Sequence, residues 1–319
     1  MVCRICEHPS NSSFAVREMM FGFRDSFSYE TCSNCGSIQI CNVPAPDVLG
    51  KYYPGEFWAK SSIDAEVPAV KQFAYDVMGM LLDPRFKPIA KLVSERLPKS
   101  AFAQAARYRI KRSDRVLDAG CGTGALICAL AKLGLRNPMG VDPFVENDIV
   151  YPNGARVVRS YLETLNEGLF DVIMFHHALE HVPDQVSTLK HASERLRPGG
   201  LCIVRIPTVS SEAFQTFKEN WVQLDAPRHL LVPSREGIRI AAEKSGMVLE
   251  DTVDDSWSFQ FWASRQYQDD IPLRDPRSYF TNPAAGLFTA AEIAAFEQHA
   301  QALNRENRGD QAIFFLRKL

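Results

Sequence analysis

Apolar residues along the middle of the chain follow two patterns, short uninterrupted runs and stripes at three- and four-residue spacing. The runs are typical of buried strands, and the stripes are typical of helices that pack on a sheet. They predict strands at residues 115–119, 138–141, 157–159, 171–175 and 201–206, with helices at 125–133 and 185–196. Strands that alternate with helices form a parallel sheet with helices on both faces, so the predicted fold class is α/β.

Helical spacing also occurs on the N-terminal side of this region. Residues 71–82 and 88–97 carry apolar positions three and four apart, among them Phe73, Val77 and Met80. Such spacing is typical of amphipathic helices. We therefore predict a helical cap in this part of the chain.

A third helical pattern lies near the C-terminus. Thr289 and Glu292 have the spacing of a capping box, in which each side chain accepts the other residue's backbone N–H at the start of a helix. The helix that follows carries one apolar stripe: Ile293, Phe296, Ala300 and Leu303. The stripe is consistent with packing against the core or the cap, and also with a dimer interface.

Composition and charge narrow the class of partner. The chain has 319 residues, of which 46% are hydrophobic, and this is enough for one large core and a smaller module. Its formal net charge of −2 at pH 7 creates no broad field toward nucleic acid or an anionic membrane. No apolar run approaches the roughly 20 residues that span a bilayer, and the first residues lack the pattern of an export signal. We expect a cytoplasmic monomer or homodimer that acts on a small molecule.

Four cysteines near the N-terminus have the spacing of a metal site. They form two Cys-x-x-Cys pairs separated by one hairpin-sized stretch: Cys3, Cys6, Cys32 and Cys35. Each pair can present two thiolates from a tight turn, and four thiolates close a tetrahedral structural zinc site. Gly36 lets the second turn fold back over the metal. His8 and Cys41 remain outside this set.

The stretch VLDAGCGTG, residues 116–124, joins the first predicted strand of the sheet to its helix. Glycines at that place let the backbone come within contact distance of a ligand, and parallel sheets bind ligands at the carboxyl ends of their strands. Gly120, Gly122 and Ala125 also satisfy a loose dinucleotide fingerprint, with Asp142 about 20 residues further on. The loop therefore predicts a nucleotide-like ligand, and the fingerprint leaves a nicotinamide cofactor open.

Three stretches, in order and properly spaced, resemble the class I S-adenosylmethionine-dependent methyltransferases. VLDAGCGTG is similar to the family's first motif, FDVIMFHHALEHVPD at residues 170–184 to its fourth-strand motif, and LRPGGLCIVRIP at 196–207 to its fifth strand. The likeness covers roughly residues 85–255. It implies a Rossmann-like sheet whose sixth strand is residues 248–253. The C-terminal DQAIFFLRKL resembles the seventh strand, which lies antiparallel beside the sixth.

The resemblance implies a binding site for S-adenosylmethionine at the ends of the predicted strands. The residues expected to contact the cofactor are Asp118, Gly120, Cys121, Gly122, Gly124, Asp142, Ser160, Tyr161, Leu162 and His176. Asp118 would lie near the methionine ammonium, and residues 160–162 would flank the adenine. Asp142 would accept the two ribose hydroxyls, since a carboxylate can accept two hydrogen bonds at once. The acid before the glycines and the extra Gly124 favour this cofactor over a dinucleotide.

The front of the chain is similar to bacterial methyltransferases of sugar and polysaccharide pathways, including deoxysugar C-methyltransferases. The double Cys-x-x-Cys module followed by KYYPGEFW carries this likeness, as does WVQLDAPRHLLVPS at residues 221–234. The second stretch resembles the segment that holds those enzymes' active-site histidine. It implies that His229 is the base that removes the acceptor's proton; without the resemblance, the sequence fits a structural residue in a loop that enters a helix equally well. We expect His229 at the carboxyl edge of the sheet, facing the methyl group.

Other charged residues near these motifs allow further interpretations. Arg228 stands where the related enzymes have a glutamate, so it is a candidate to bind a substrate phosphate or carboxylate. The basic run at residues 107–115 fits either an anion site or a solvated face. His177 follows the fourth strand at the expected sulfonium edge and is the second catalytic candidate. With Glu180 and His181 it could hold a metal, but we favour a structural or substrate-facing role for the Glu-His pair.

These patterns predict three consecutive parts. They are a zinc-binding module at residues 1–55, a helical cap and linker at 56–112, and a methyltransferase domain at 113–319 with insertions at 208–233 and 256–309. The favoured function is methyl transfer to a sugar or nucleotide-linked sugar. The alternative is an RNA methyltransferase whose zinc module reads RNA, which the net charge disfavours. A zinc-organised binding protein with a degenerate core conflicts with the intact glycines and Asp142.

Overall fold

The computed structural model describes residues 1–54, 69–97 and 100–319, which belong to two compact units. The first unit comprises Met1–Pro54, Leu179–Lys190 and Arg205–Leu316, and the second comprises Gly55–Ala178, His191–Val204 and Arg317–Leu319. Phe57 and Trp58 of KYYPGEFW lie outside the described residues. The units interleave along the chain, whereas the three parts expected from the sequence are consecutive; those boundaries stay a prediction.

The described residues form twelve strands and ten helices. The strands are β1 Ser10–Arg17, β2 Ser26–Cys32, β3 Ile38–Ile40, β4 Val116–Ala119, β5 Met139–Val141, β6 Ile149–Val150, β7 Arg156–Val158, β8 Phe170–His176, β9 Leu196–Pro207, β10 Leu231–Val232, β11 Met247–Asp254 and β12 Gln311–Lys318. The helices are α1 Pro46–Gly50, α2 Ala69–Met80, α3 Lys87–Arg96, α4 Ala101–Arg107, α5 Ala125–Lys132, α6 Gln185–Arg195, α7 Glu212–Phe217, α8 Arg235–Lys244, α9 Phe259–Gln268 and α10 Ala290–Arg305. None of these helices is both long enough and apolar enough to cross a membrane.

The larger sheet has eight strands in the order β11-β12-β9-β8-β4-β5-β7-β6. β4 pairs in parallel with β5 and β8, and β5 pairs in parallel with β7. The two-residue β6 lies at the edge, antiparallel to β7. Every residue of β4 and β5 is buried, as expected for strands covered on both faces. The predicted Rossmann-like α/β fold is confirmed, and the C-terminal strand lies beside the sixth strand as expected.

The boundaries of the predicted strands agree with the structure to within one residue, except for β9. This strand begins at Leu196, five residues before the predicted start at 201. Its residues 197–199 are exposed and polar, proline or glycine, so they carry no apolar pattern. Lys318 donates to the carbonyl of Leu196, and Arg317 donates to that of Gly199. These contacts stabilise a strand end that the sequence pattern cannot reveal.

The first unit contains a four-stranded sheet in the order β1-β2-β3-β10. β2 pairs antiparallel with both β1 and β3. The fourth strand comes from the distant segment after His229, where Leu231 pairs with Gln39 and Val232 with Ile38. The cysteine-rich module therefore shares a sheet with a segment that the sequence analysis assigns to an insertion of the methyltransferase domain.

Helix α10 begins with the predicted capping box. The Thr289 hydroxyl accepts the N–H of Glu292, and the Glu292 carboxylate accepts the N–H of Thr289. Ala300 and Leu303 are buried in the core of the first unit, and the rest of the stripe packs against that core. The apolar stripe is therefore used within its own chain, which supports the packing interpretation over a dimer interface.

The described residues of the predicted cap include two helices at the predicted places, α2 and α3, and a third, α4. Several apolar residues of the two predicted helices face outward, since Phe73 is 72% exposed, Met80 is 55% exposed and Leu92 is 51% exposed. Among the described residues, this face of the two helices does not contribute to a core.

Candidate functional site

The glycine loop joins β4 to α5 in the second unit. Gly120, Gly122 and Gly124 have φ values between +54° and +86°, a region that side chains other than glycine rarely adopt. A Cβ at Gly120 would lie 2.5 Å from the Cβ of Ala178, and a Cβ at Gly124 would lie 2.7 Å from Cγ2 of Val157. A Cβ at Gly122 would meet no described atom within 4 Å. Packing therefore requires two of the glycines, and the middle one leaves the backbone open toward a ligand.

Asp142 follows β5 and holds this loop in place. It is 3% exposed. Its Oδ2 accepts the N–H of Gly122 at 2.8 Å, and its Oδ1 accepts the N–H of Phe144 at 2.9 Å. Each carboxylate oxygen has a second lone pair that can accept another hydrogen bond. Asp142 can therefore fix the loop and still bind a pair of hydroxyls, the role that the sequence predicts for it.

Asp118 lies in β4 and is buried. Its Oδ1 has no hydrogen-bond partner among the described residues. Burial, together with the negative charge of Asp142, raises the pKa of Asp118 to about 8. A buried acceptor near a second carboxylate favours a cationic group that donates hydrogen bonds. The methionine ammonium of S-adenosylmethionine has this chemistry, so the residues around the loop fit the cofactor.

The remaining predicted cofactor contacts lie near the same strand ends. Tyr161 is 58% exposed and Leu162 is 6% exposed, so they offer an open ring and an apolar wall after β7. The Ser160 hydroxyl donates to the carbonyl of Tyr161. The Cys121 thiol donates to the carbonyl of Gly122, and burial raises its pKa. A thiol with a raised pKa stays protonated near pH 7 and is therefore poorly nucleophilic.

Two histidines follow one another at the end of β8. The His176 Nε2 lies 3.3 Å from the Nε2 of Gln104, and the rings of His176 and His177 are 5.2 Å apart and nearly perpendicular. His177 has a φ of 54°, which is rare for a residue other than glycine. Strained backbone of this kind is frequent at ligand and active sites. This supports a functional place for His177, and its catalytic role stays a prediction.

The four predicted metal ligands converge in the first unit. The sulfur atoms of Cys3, Cys6, Cys32 and Cys35 all lie within 4.8 Å of one another. The Cys3–Cys35 sulfur distance is 3.6 Å, and the Cys6–Cys32 sulfur distance is 3.4 Å. Tetrahedral zinc with Zn–S bonds of about 2.3 Å holds its sulfurs roughly 3.8 Å apart. Gly36 has a φ of +74° in the turn after the second pair. The arrangement therefore fits a structural zinc ion.

His229 lies in the first unit, 7% exposed, and is held by hydrogen bonds on its ring and its backbone. Its Nδ1 lies 2.7 Å from the carbonyl oxygen of Gln223. Because a carbonyl only accepts, Nδ1 carries the proton and the lone pair is on Nε2. The backbone carbonyl of His229 accepts the hydroxyl of Tyr29 at 2.9 Å. The imidazole is thus fixed in the tautomer that a proton acceptor at Nε2 requires.

His181, like its neighbour His229, has its Nδ1 close to a backbone carbonyl. Its Nδ1 lies 2.9 Å from the carbonyl of Arg228 and 3.2 Å from the hydroxyl of Tyr53. The two histidine rings are 4.8 Å apart. Burial, and then the proximity of His229, lower the pKa of His181. His181 is therefore held as a neutral imidazole near pH 7.

A second group of possible metal ligands includes these histidines. One ligand atom from each of Glu180, His181 and His229 lies within 4.8 Å of the others. The sequence analysis considers Glu180 and His181 together with His177. Among the described residues, the group contains His229 instead, because the segment just before β10 lies beside Glu180, whose carbonyl accepts the N–H of Leu230.

Arg228 is not available to a substrate anion. Its side chain is 0% exposed. Nη2 donates to Glu18 at 2.9 Å and to Asp225 at 2.7 Å, Nε donates to Asp225 at 2.9 Å, and Nη1 donates to the carbonyl of Tyr52 at 2.9 Å. The expectation that Arg228 binds a substrate phosphate or carboxylate is therefore wrong, because two protein carboxylates already pair with its guanidinium.

The basic run before β4 also forms internal contacts. Arg112 donates to the carbonyl of Gly134 and pairs with Asp76. Arg115 pairs with Glu167 at 2.8 Å. These contacts favour an internally paired surface over an anion site for these two arginines.

The surroundings of His229 include residues that the sequence analysis missed. Glu18 and Tyr53 belong to the N-terminal module, and 210 positions separate Glu18 from its partner Arg228. No local sequence pattern indicates a contact between residues so far apart in the chain. Asp225 does carry a local signal, since an acid three residues before an arginine in one loop indicates an ion pair.

Comparisons with known proteins identify the family of the chain. A protein-family profile described as a methyltransferase domain matches residues 85–252. A ubiquinone biosynthesis O-methyltransferase from Maricaulis maris is 30% identical over 238 residues, 67% of this chain and 87% of that protein. A relative of the same name from Colwellia psychrerythraea is 35% identical over 97 residues, 27% of this chain and 39% of that protein. The chain thus spans well under half of this second relative.

Among solved structures, an S-adenosylmethionine-dependent methyltransferase from Mesorhizobium loti aligns with a TM-score of 0.43 and 17% identity, over 70% of this chain and 100% of that chain. The family profile covers more than half of the 319 residues. The matched part contains the glycine loop, Asp142, the two histidines after β8 and His229. The chain belongs to the class I S-adenosylmethionine-dependent methyltransferases.

Proposed function

We propose that this protein transfers the methyl group of S-adenosylmethionine to a small acceptor, a sugar or nucleotide-linked sugar, with His229 as the base. The carrying observation is the glycine loop, where the open backbone at Gly122 and the buried Oδ1 of Asp118 suit the cofactor. When bound, S-adenosylmethionine supplies an electrophilic methyl carbon. Asp118, Asp142 and the loop backbone would hold it, and the residues at the ends of β7 and β8 would flank it.

The acceptor must lose a proton as it takes the methyl group. The acceptor atom is an oxygen, or a carbon beside a keto group; bound S-adenosylmethionine would supply the methyl carbon and would retain on its sulfur the electron pair of the bond that breaks. His229 accepts the released proton on Nε2, while its Nδ1–H keeps donating to Gln223. Because this hydrogen bond fixes the ring, little reorientation is needed during the reaction.

The choice of acceptor has two candidates. A sugar acceptor rests on the resemblance of the N-terminal module and of the segment around His229 to sugar-pathway enzymes. A phenolic hydroxyl is the second candidate, because the relative from Maricaulis maris is named a ubiquinone biosynthesis O-methyltransferase. The net charge of −2 favours either of these over RNA. We further propose that the protein works in the cytoplasm and that its cysteine module holds one structural zinc ion.

A methyl-transfer screen tests the acceptor class. The full-length protein is incubated with methyl-labelled S-adenosylmethionine and, separately, nucleotide sugars, keto-sugar nucleotides, catechols and structured RNA. We expect label in a nucleotide sugar. Label only in a catechol would show that the acceptor is a phenolic hydroxyl and not a sugar. Label in RNA would support the alternative function, an RNA methyltransferase.

Replacement of His229 tests the base with whichever acceptor the screen finds. We expect His229→Ala to lower turnover by roughly 10²–10⁴, the usual range for loss of a general base, with cofactor affinity nearly unchanged. His177→Ala is the comparison, because a change beside the strained end of β8 should alter cofactor or acceptor affinity as well as rate. Near-normal turnover by the His229 variant would remove it as the base.

A further inference from the structure

A buried ionic group lies next to His229 in the first unit. It consists of Glu18, Asp225 and Arg228, of which Glu18 and Arg228 have side chains with 0% exposure and Asp225 has 8%. Two carboxylates and one guanidinium carry a formal net charge of −1. A further positive charge nearby would neutralise the group.

His229 is placed to provide that charge. Its Nε2, the nitrogen that carries the lone pair, lies 3.9 Å from the Oδ2 of Asp225. The same oxygen accepts a hydrogen bond from the Nε of Arg228 at 2.9 Å. The backbone N–H groups of Arg228 and His229 both donate to the backbone carbonyl of Asp225. These two hydrogen bonds hold the turn that places Asp225 beside His229.

Among the described groups around His229, the carboxyl of Glu180 is a second acid, with an oxygen within 4.8 Å of a ring nitrogen of His229, and only Asp225 is in addition fixed by Arg228. The other groups that face His229 or its neighbour are the carbonyl of Gln223, the hydroxyls of Tyr29 and Tyr53, and the ring of His181. Burial raises the pKa of Asp225, but the charge and the hydrogen bonds of Arg228, followed by the nearby histidines, bring it below its usual range. Arg228 therefore keeps Asp225 ionised in a buried position.

We propose that Asp225 is the positioning residue for the reaction: its carboxylate, fixed by Arg228, stabilises the His229 imidazolium that forms when Nε2 takes the acceptor's proton. This proposal rests on the proposed role of His229. Asp225 neither takes the proton nor touches the acceptor. An anion that orients and stabilises a protonated histidine is a general device of acid-base catalysis.

The matched pair of variants is Asp225→Asn and Glu18→Gln. Each removes one carboxylate from Arg228, but only Asp225 is paired with His229. Asp225 has a φ of 36°, and asparagine tolerates this left-handed region well, so the backbone should be kept. Asp225→Ser is a second uncharged variant in case the asparagine chain does not fold, and Asp225→Glu retains the charge.

Two measurements follow in the full-length protein. The first is the pH profile of kcat, whose acid limb reports protonation of the base. We expect this limb to move to lower pH by about one unit or more in Asp225→Asn, since loss of a nearby opposite charge disfavours the imidazolium. In Glu18→Gln and Asp225→Glu we expect the acid limb to stay within a few tenths of a pH unit of its wild-type position. The second is NMR titration of the His229 ring, which needs no acceptor and should give the same shifts.

The outcomes separate the two proposals. A His229 resonance that titrates alike in the wild type and in Asp225→Asn overturns the role of Asp225. Equal shifts in Asp225→Asn and Glu18→Gln also overturn it, because they would assign the effect to the packing of Arg228. Near-normal turnover by His229→Ala removes the base itself, whatever the titration shows.

Discussion

Asp118 and Asp142 place two carboxylates in the buried part of the second unit, and they are satisfied to different degrees. Both oxygens of Asp142 accept backbone N–H groups, whereas Oδ1 of Asp118 has no partner among the described residues. The cost of burial, with the repulsion from Asp142, raises the pKa of Asp118 to about 8. At pH 7 Asp118 is therefore mostly protonated until a cation binds.

This state predicts that cofactor binding releases a proton. Binding of the ammonium group of S-adenosylhomocysteine at pH 7 should ionise Asp118 and release close to one proton per ligand, because a nearby cation lowers the pKa of a buried carboxyl. Calorimetry in two buffers with different ionisation enthalpies measures the release. Asp118→Asn should abolish it, and affinity in the wild type should rise with pH up to about 8. A binding enthalpy that does not depend on the buffer would contradict the prediction.

At the scale of elements, the sequence predicts best what local patterns determine. β4, the glycine turn and α5 form one local unit, since the apolar run and the glycine positions together indicate strand, turn and helix. The two-residue β6 and β10 are too short to carry a pattern. β10 exists because Leu231 and Val232 pair with β3, far away in the chain. Glu18 is equally far from the segment around His229 in the chain, so the sequence of that segment does not predict the contact.

The cysteine module offers a prediction for these elements. The protein purified without chelator should contain about one zinc per chain, because four thiolates close a structural site. Cys32→Ser should lose the metal and lower the thermal midpoint, since metal binding contributes to folding. β10, which closely follows His229, pairs with β3 of this module. We therefore expect Cys32→Ser to lower turnover as well, though less than His229→Ala does.

Cys41→Ser is the matched control, since Cys41 lies outside the four-thiolate set. It should keep the metal and the thermal midpoint. Elemental analysis decides the ratio. A metal content near zero in the wild type would remove the zinc site, and a ratio near two would direct attention to Glu180, His181 and His229 as a second site.

At the scale of the whole molecule, the chain assembles its chemistry from distant segments. The first unit unites the N-terminal module, residues 179–190 and residues 205–316, and it contains His229 with its partners. The second unit contains the glycine loop, Asp142 and the histidines after β8. The glycine loop and Asp142 are predictable from the sequence, because motifs near strand ends are local. The partners of His229 depend on the folded chain and were not predictable from the sequence.

Equilibrium binding tests the cofactor assignment without knowledge of the acceptor. Isothermal calorimetry compares S-adenosylhomocysteine and NAD on the wild-type protein and on Asp142→Ala. We predict one S-adenosylhomocysteine per chain, no tight NAD binding, and an Asp142→Ala affinity weakened by on the order of 1.5–3 kcal/mol, the value of a hydrogen bond to a charged group. Tight binding of NAD, or an unchanged affinity in the Asp142 variant, would contradict the assignment of this loop to S-adenosylmethionine.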